Sequence, residues 1–289
     1  MKRITLRILA CCFLTTGCAA GKAENIKTIR TDGFSMDYCR FGRGEKTLVI
    51  LPGLSVESVM KYADAVAAAY APLTDAFTVF LFDRRKELPE GYSIPDMARD
   101  TAAAMRALGL EQASLFGASQ GGMIAAVLAA EEPDLAGRLI LGSTSARITD
   151  ERYSVIDRWI RLAKDGKAEE LYLAFGEALY PQAVFEQSRD GLKESAKSVT
   201  KADLERFVIL AEACKGFDMV SRIPEIACPV LVIGSRDDRV LGPEGSEEIA
   251  EQLKGRPDCE LYMYDGYGHA VYDLAPDYKE RMLRFLLQE

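Results

Sequence analysis

The sequence predicts an α/β protein with an eight-stranded, mostly parallel sheet that is covered by helices on both faces. Eight runs rich in β-branched and aromatic residues recur along the chain, and helix-like segments separate most of them. From residue 47 onward most of these runs are continuously apolar, as expected for parallel strands buried on both faces. Strands that alternate with helices in this way form a doubly wound sheet.

The candidate strands lie at 25–31, 34–41, 47–51, 77–82, 113–117, 139–142, 230–234 and 259–264. The first two are more polar than the others, which favours a position at the edge of the sheet. Helices are predicted at 58–70, 95–108, 120–131, 243–253 and 276–287, and several of them open with a proline, which suits a first helical turn.

Between Gly142 and Val230 the alternation of strand and helix stops, and charged amphipathic helix patterns fill the gap. No linker-like tract borders this stretch, so we expect one domain, 24–289, with a helical cap at about 145–224. Aromatic residues of the cap are candidates for a pocket roof, although most should pack within the cap itself. They are Tyr153, Trp159, Tyr172, Phe175, Tyr180 and Phe185.

The composition is that of a folded globular protein, with 48% hydrophobic and 28% charged residues in a chain of 289. The formal net charge of −8 argues against a nucleic-acid partner, because binding a polyanion requires clustered Lys and Arg side chains.

The segment 1–23 resembles a bacterial lipoprotein signal. Three basic residues precede a short apolar run at 8–14, and Gly17 and Cys18 follow it. One interpretation is export, with Cys18 lipidated and the protein anchored to the bacterial cell membrane. The other is an N-terminal extension on a cytoplasmic enzyme, because the apolar run is short and Thr15 stands where such signals usually have Leu. In either case the run is too short to span a bilayer.

Four cysteines fall in the folded part, namely Cys39, Cys214, Cys228 and Cys259, and their spacing fits no metal site. The chain has no CxxC pair and only one histidine, so zinc ligands are lacking and buried free thiols are expected. We therefore predict no metal site.

The sequence Gly117-Ala118-Ser119-Gln120-Gly121 lies between a predicted strand and a predicted helix, as in a nucleophile elbow. A serine on such a tight turn has a strained backbone, and only small flanking residues let the two elements approach closely. Gly117 and Gly121 provide that room. The helix start also offers the backbone N–H of Gln120 to a developing oxyanion. The alternative is a glycine-rich turn with a purely structural role.

A serine nucleophile needs a base, and His269 is the only histidine in the chain. It follows the last predicted strand on a glycine-rich loop, and imidazole suits proton transfer at neutral pH. A carboxylate after the penultimate strand should orient it, and both Asp237 and Asp238 are available. We choose Asp237, three residues after Gly234 at the end of the predicted strand, and expect Asp238 to cap the loop or pair with a neighbouring arginine.

The chain order of serine, aspartate and histidine resembles that of the α/β-hydrolase superfamily. The resemblance covers about 25–289, and it is greatest to the capped group with carboxylesterases, lactone hydrolases, carbon–carbon bond hydrolases and cofactor-free haloperoxidases. It implies an α/β-hydrolase fold with no metal or cofactor. It also implies that the backbone N–H of Leu54 is the second oxyanion donor, although Pro52 replaces the usual histidine. The glycines that usually follow the fourth strand are missing, so the loop there should differ. We expect Asp83 and Arg85 to be structural, because runs of charged residues usually form a solvated surface.

These residues predict acyl transfer to and from a serine, with a carboxylic ester, thioester or lactone as the small-molecule substrate. Relatives that open epoxides or remove halides use an aspartate as nucleophile, so Ser119 argues against both reactions. A peptidase that acts on N-terminal residues lacks a visible acidic anchor in this sequence. Two alternatives stay open, an acyltransferase with a non-water acceptor and a ligand-sensing protein that keeps the triad. The sequence does not predict the oligomeric state.

Overall fold

The structure is a computed structural model that describes residues 22–31 and 33–288. The predicted lipidation site at Cys18 lies outside these residues. Within the described ranges, no helix combines the length and the apolar character needed to cross a membrane.

In residues 22–31 and 33–288, eight strands form a single sheet in the order β1-β2-β4-β3-β5-β6-β7-β8. Strand β2 pairs antiparallel with β1 and β4, and all the other pairs are parallel. The predicted eight-stranded, mostly parallel sheet is therefore confirmed, with β1 at one edge and β2 directly inside it. The strands are β1 (Lys27–Thr31), β2 (Phe34–Gly42), β3 (Lys46–Leu51), β4 (Phe77–Arg85), β5 (Ala113–Ala118), β6 (Ala136–Gly142), β7 (Val230–Ser235) and β8 (Cys259–Tyr264).

Ten α-helices lie in the described residues, joined by three short 3₁₀ turns at Val59–Tyr62, Ala71–Leu73 and Val220–Glu225. The helices are α1 (Ala63–Ala69), α2 (Ile94–Ala107), α3 (Gln120–Glu131), α4 (Asp150–Lys164), α5 (Ala168–Leu179), α6 (Gln182–Ala196), α7 (Lys201–Glu212), α8 (Pro243–Gln252), α9 (Val271–Leu274) and α10 (Tyr278–Leu286).

The helix predicted at 276–287 appears as α10, and the short helix α9 that precedes it was not predicted. The short helix α9 ends at Leu274, and Ala275 adopts an extended conformation immediately before Pro276. A residue that precedes proline is sterically disfavoured in the helical region, so the chain cannot continue as one helix there. Helix α10 begins two residues after the proline, at Tyr278.

Helix α3 is the most deeply buried helix, and it follows strand β5 near the middle of the sheet. All residues from Gln120 to Ala129 are buried. A helix that is apolar on every side belongs in the interior, which explains why this segment shows no amphipathic pattern. The turn between β5 and α3 is thereby held rigidly at the carboxyl edge of the parallel strands.

Helices α4 to α7 lie between β6 and β7, where the sequence predicts the cap, and we call them the helical insertion. An aromatic cluster joins three of the four helices, with ring centroids 4.1 Å apart for Trp159 and Phe175 and 5.8 Å apart for Phe175 and Phe207. Pairs at these separations stabilise a core beyond the area that they bury. The insertion therefore has a packed interior of its own.

Candidate active site

Ser119 occupies the turn from β5 to α3 with φ of 52° and ψ of −120°, a conformation that residues with a side chain rarely adopt. Its N–H donates to the Gly142 carbonyl at 2.8 Å, and its own carbonyl accepts the N–H groups of Gly122 and Met123. The Thr144 hydroxyl also donates to that carbonyl, at 2.6 Å. These bonds over-determine the turn, which is how a strained conformation persists in a folded protein.

The two glycines of the motif stand where a side chain would collide with neighbouring backbone. A Cβ atom on Gly117 would lie 2.3 Å from the Gly121 carbonyl oxygen, and one on Gly121 would lie 2.0 Å from the Leu51 carbonyl oxygen. Both distances are far below normal carbon–oxygen contact. The end of β5, the start of α3 and the end of β3 thus approach each other as the motif requires.

His269 lies between Ser119 and an aspartate, with its ring nitrogens directed to both. The distance from Nε2 to Ser119 Oγ is 3.0 Å, and the distance from Nδ1 to Asp238 Oδ2 is 2.8 Å. The imidazole is only 1% exposed, and Asp238 is 7% exposed. The tautomer that satisfies both contacts carries its proton on Nδ1, which leaves Nε2 free to accept the serine proton.

The carboxylate that contacts His269 is Asp238, so the choice of Asp237 for this contact is wrong. Strand β7 runs one residue further than predicted, to Ser235, and the chain then turns through two exposed residues. Asp238, three residues after the true strand end, points inward, and its Oδ1 accepts the N–H groups of Val240 and Leu241 at 2.8 and 3.0 Å. Asp237 is exposed and accepts the N–H of Gly266 instead.

The two predicted oxyanion donors both lie next to Ser119. Leu54 lines the same cavity as the serine, and a Cβ atom on the neighbouring Gly53 would lie only 3.2 Å from Ser119 Cβ. Gln120 is the first residue of α3, directly after the serine. Among the described residues, no backbone acceptor is bonded to the N–H of either Leu54 or Gln120. The two N–H groups are therefore available to a ligand.

Ser119 opens into a narrow, mostly apolar cavity, with about 880 Å³ of empty space including its open mouth. We call it the Ser119 cavity. Its wall contains residues of the helical insertion, Trp159, Phe175, Leu179 and Tyr180, together with residues of the main domain. The main-domain residues are Ile50, Pro52, Gly53, Leu54, Ser55, Val59, Tyr62, Val66, Tyr70, Leu81, Phe116, Ala118, Ser119, Val240, His269, Ala270, Tyr272 and Asp273.

Three of the six aromatic residues proposed for a roof, namely Trp159, Phe175 and Tyr180, line this cavity. Tyr172 and Phe185 are buried elsewhere in the insertion, and the Tyr153 ring packs under the Lys215 ammonium at 5.7 Å. The sequence pattern could not distinguish the three aromatic residues that line the cavity from the three that do not, because all six have the helical spacing of core residues.

Asp273 is a cavity residue that the sequence did not indicate. It lies four residues after His269 on α9, in a segment predicted as loop, so its direction could not be foreseen. Burial raises the pKa of Asp273 to about 7, although the neighbouring Lys279 and His269 act in the opposite direction. Asp273 is therefore a carboxyl residue of the cavity wall, whereas Asp238, which contacts His269 from behind, is not part of that wall.

The helical insertion is tied to the residues around Ser119 by polar contacts. The Gln120 side chain donates to the Leu210 carbonyl at 2.6 Å, and the Arg206 guanidinium pairs with Asp83 at 2.8 Å. The Ala270 N–H, next to His269, donates to the Leu179 carbonyl at 3.1 Å. The insertion thus contacts both the serine turn and the histidine loop, and the expected structural role of Asp83 fits this contact.

A buried carboxylate, Glu57, forms a further link between the main domain and the insertion. It accepts hydrogen bonds from Lys61 Nζ at 2.6 Å, Tyr172 Oη at 2.9 Å, Ser198 Oγ at 3.2 Å and the Tyr62 hydroxyl. Burial raises the pKa of Glu57, but the bonds from Lys61 and the two tyrosines outweigh it and hold that pKa below its ordinary value. Glu57 is therefore ionised at neutral pH.

Arg85, the other residue taken as structural, lies away from the Ser119 cavity lining. Its guanidinium contacts Asp100 at 3.5 Å, donates to the Gly33 carbonyl at 2.9 Å and lies 5.2 Å from the centre of the Phe34 ring. These contacts fix the edge of the sheet.

Metal-binding side chains do not cluster in the part of the chain that the structure describes. Cys39, Cys214 and Cys228 are buried free thiols there, and Cys259 is a partly buried one. Burial raises the pKa of Cys39 to about 12 and those of Cys214 and Cys228 to about 11. At neutral pH these three are neutral thiols, which are poor nucleophiles and poor metal ligands.

Fold and site geometry place the protein among the hydrolases of the α/β-hydrolase fold. Two solved structures share the fold over 91% of this chain. They are MGS-M2, an α/β-hydrolase enzyme from a Medee basin deep-sea metagenome library (TM-score 0.80, 21% identity, 98% of that chain), and the enol-lactonase from Burkholderia xenovorans LB400 (TM-score 0.77, 22% identity, 100% of that chain).

Comparison with related sequences identifies the family of this chain. The profile described as serine aminopeptidase, S33, matches residues 91–273. A curated relative, "Putative carbamate hydrolase RutD" of Agrobacterium fabrum, is 30% identical over 224 residues, which are 74% of this chain and 85% of that protein. The chain therefore belongs to the S33 serine aminopeptidase-like family of the α/β-hydrolase superfamily.

Proposed function

We propose that the protein is a serine hydrolase that cleaves a carboxylic ester, thioester or lactone through an acyl-enzyme intermediate. The observation that carries this proposal is the unbroken series of contacts from Ser119 Oγ through His269 to Asp238, at 3.0 and 2.8 Å. Nucleophile, base and orienting carboxylate within hydrogen-bond reach are the arrangement that activates a serine hydroxyl.

In the acylation step, Ser119 Oγ attacks the substrate carbonyl while His269 Nε2 takes the serine proton. Asp238 stabilises the imidazolium that forms and keeps its proton on Nδ1, because two backbone N–H groups already hold the other oxygen of this carboxylate. The imidazolium then protonates the departing alcohol or thiol. For a lactone, that group stays attached to the acyl chain.

The negative charge that develops on the carbonyl oxygen is stabilised by the N–H groups of Leu54 and Gln120. Gln120 directly follows Ser119, Leu54 lines the same cavity, and the start of α3 adds the positive end of its helix dipole. Loss of one such donor typically slows an acyl transfer by about 10²–10³-fold. Water then attacks the acyl-enzyme with His269 as base, which releases the acid and restores the serine.

The helical insertion acts as a cap in this mechanism. Trp159, Phe175 and Tyr180 cover the Ser119 cavity with apolar surface, which restricts water and favours a small or medium, mostly apolar acyl group. The name of the Agrobacterium relative adds a carbamate to the acyl derivatives worth testing, since its carbonyl would be attacked in the same way.

Two experiments test the proposal together. One is labelling with a fluorophosphonate, and the other is an activity assay on esters of increasing acyl-chain length. We expect the wild type to be labelled at Ser119, and we expect Ser119→Ala to lose about 10⁴-fold or more of its esterase activity. Ser154→Ala is a matched control, because Ser154 is an exposed serine on α4. The proposal fails if wild type takes no label or if Ser119→Ala keeps full activity.

Product analysis separates the proposed reaction from its two alternatives. Transfer to added alcohols or amines that exceeds hydrolysis would identify an acyltransferase. Labelling without turnover of any ester, thioester, lactone or carbamate, together with a ligand-dependent change in protease sensitivity of the helical insertion, would identify a sensor.

A further inference from the structure

Asp273 is the one acidic residue among the described residues that line the Ser119 cavity. The described residues of the cavity wall are apolar, aromatic or uncharged polar groups, apart from His269 and this one carboxyl group. Asp273 and Tyr272 lie on α9, one helical turn beyond the histidine. Asp273 therefore lines the same cavity as Ser119.

In the part of the chain that the structure describes, the Asp273 carboxyl group makes no hydrogen bond or ion pair. Among the described residues, no hydrogen-bond donor contacts it and no basic nitrogen lies within 4 Å of it. Lys279 and His269 are the two basic groups that act on it from a distance. The Lys279 ammonium contacts the Tyr272 carbonyl and lies 4.7 Å from the Tyr70 ring centre and 5.4 Å from the Tyr278 ring centre.

Ionisation of Asp273 in such surroundings is unfavourable as long as no ligand is bound. Transfer of an ionised group into an apolar site without a partner is costly, and this cost appears as the raised pKa of Asp273. Groups of this kind concentrate at sites where a ligand provides the missing partner. A ligand with a positive charge would do so, and it would lower the pKa of the carboxyl group on binding.

We propose that Asp273 is a specificity-determining residue that binds an alkylammonium group of the substrate. The inference rests on the proposed function, since it places the cation in the cavity of the same serine. An aromatic ring supports it, because Trp159 lines the cavity and the face of an indole ring attracts cations. By the same argument, the cavity disfavours acyl chains that end in a carboxylate.

Matched pairs of esters that differ only in charge test the inference. Choline butyrate and its uncharged isostere neohexyl butyrate place the charge in the alcohol. The p-nitrophenyl ester of γ-butyrobetaine and its analogue with carbon in place of nitrogen place the charge in the acyl chain. Initial rates are measured above the pKa of Asp273, where its carboxyl group is ionised, and the charged-to-neutral ratio of kcat/KM is compared within each pair.

We expect wild type to prefer the charged member of at least one pair, and we expect Asp273→Asn to lower that ratio about 10-fold or more. Asp75→Asn is the control for net charge, because Asp75 lies on the surface in an exposed pair with Arg43, and its ratio should equal that of wild type. Asp273→Ser is a second variant in case the asparagine protein does not fold. Equal ratios in wild type and both variants, or preference for the neutral members of both pairs, would overturn the inference.

A binding measurement tests the cation site independently of the proposed hydrolysis. Calorimetry compares choline with neohexanol on wild type and on Asp273→Asn, and it requires no turnover. A preference for choline that the variant loses supports the cation site even in a protein that hydrolyses nothing. Equal binding of both alcohols by wild type overturns the site even if the esters are hydrolysed.

Discussion

The Asp238 carboxylate lies 2.8 Å from Nδ1 of His269, while the side chain of the preceding residue, Asp237, points to the surface. Two identical side chains thus stand next to each other in opposite environments. The buried carboxylate has one oxygen fixed by the Val240 and Leu241 N–H groups and the other on the imidazole. The exposed one accepts a hydrogen bond from a loop N–H, that of Gly266.

Replacement of each aspartate by asparagine should affect catalysis differently at the two positions. We expect Asp238→Asn to reduce kcat for a p-nitrophenyl ester by about 10³–10⁴-fold, because an amide can donate to Nδ1 and so favour the wrong tautomer. Asp237→Asn is the matched control and should stay within a few-fold of wild type. Steady-state kinetics on both variants, with circular dichroism as a check of folding, would contradict the assignment if Asp237→Asn were the slower enzyme.

For Gly121 in the serine turn, we predict a loss of stability on replacement by alanine, whereas helix propensity alone predicts a gain. Gly121 lies in α3, where replacement of glycine by alanine normally stabilises by about 1 kcal/mol. Here the new Cβ would lie 2.0 Å from the Leu51 carbonyl oxygen, so β3 and α3 would have to separate. We expect Gly121→Ala to lower the free energy of unfolding by about 3 kcal/mol or more.

Urea unfolding measures this change, with Ser154→Ala on the exposed face of α4 as the comparison. That substitution adds helix propensity without a clash and should change stability by only about 0.5 kcal/mol. A Gly121→Ala protein as stable as wild type would show that the close approach of β3 and α3 is relaxed at little cost.

The regular parts of this molecule could be predicted from the sequence, because each depends on a local pattern. Eight apolar runs gave eight strands, and the strand–Gly-x-Ser-x-Gly–helix pattern with a single histidine placed Ser119 and His269 next to each other. The choice of aspartate depended on where β7 ends and on how the following turn directs two adjacent side chains. No sequence pattern contains that information.

The cavity wall was harder to predict, because it is assembled from segments that are distant in the chain. Asp273 lines the cavity from a short helix after His269, which ends before Pro276 and which the sequence did not predict. The sequence offered no acidic anchor for a cationic substrate, and the fold provides a candidate at this position. Glu57 likewise has partners up to 141 residues away, so its burial could not be foreseen.

Glu57 should stabilise the protein in a pH-dependent way. Its pKa lies below the ordinary value of 4.5, so the stabilisation is fully present above that value and is lost as the pH falls through the lower pKa of the folded state. We expect Glu57→Gln to lower the free energy of unfolding by about 1–3 kcal/mol at neutral pH, since an amide cannot accept all four donors as a carboxylate does.

The difference between wild type and Glu57→Gln should shrink as the pH falls below about 4.5. Urea unfolding at a series of pH values measures it, and Glu205→Gln is the control because Glu205 pairs with Lys201 on the exposed surface of α7. A difference that grows on acidification would contradict the assigned direction of the pKa shift.

Asp273 should have the opposite effect on stability. Its pKa rises from an ordinary value of 3.8 to about 7 on folding, so between these values the folded protein binds more protons than the unfolded chain. The free energy of unfolding therefore falls as the pH rises through this window. The asparagine of Asp273→Asn stays uncharged, so the variant should avoid this loss. We expect it to be more stable than wild type by about 2 kcal/mol near pH 8, with almost no difference near pH 4.

Thermal and urea unfolding of both proteins across this pH range measure the difference, and Asp75→Asn again controls for net charge because Asp75 is exposed. A difference independent of pH, or a less stable variant above neutral pH, would mean that Asp273 has a partner that balances its charge in the empty protein. The expected result, a variant that gains stability as it loses preference for cationic esters, is the relationship found where a binding site retains an unfavourable group for its ligand.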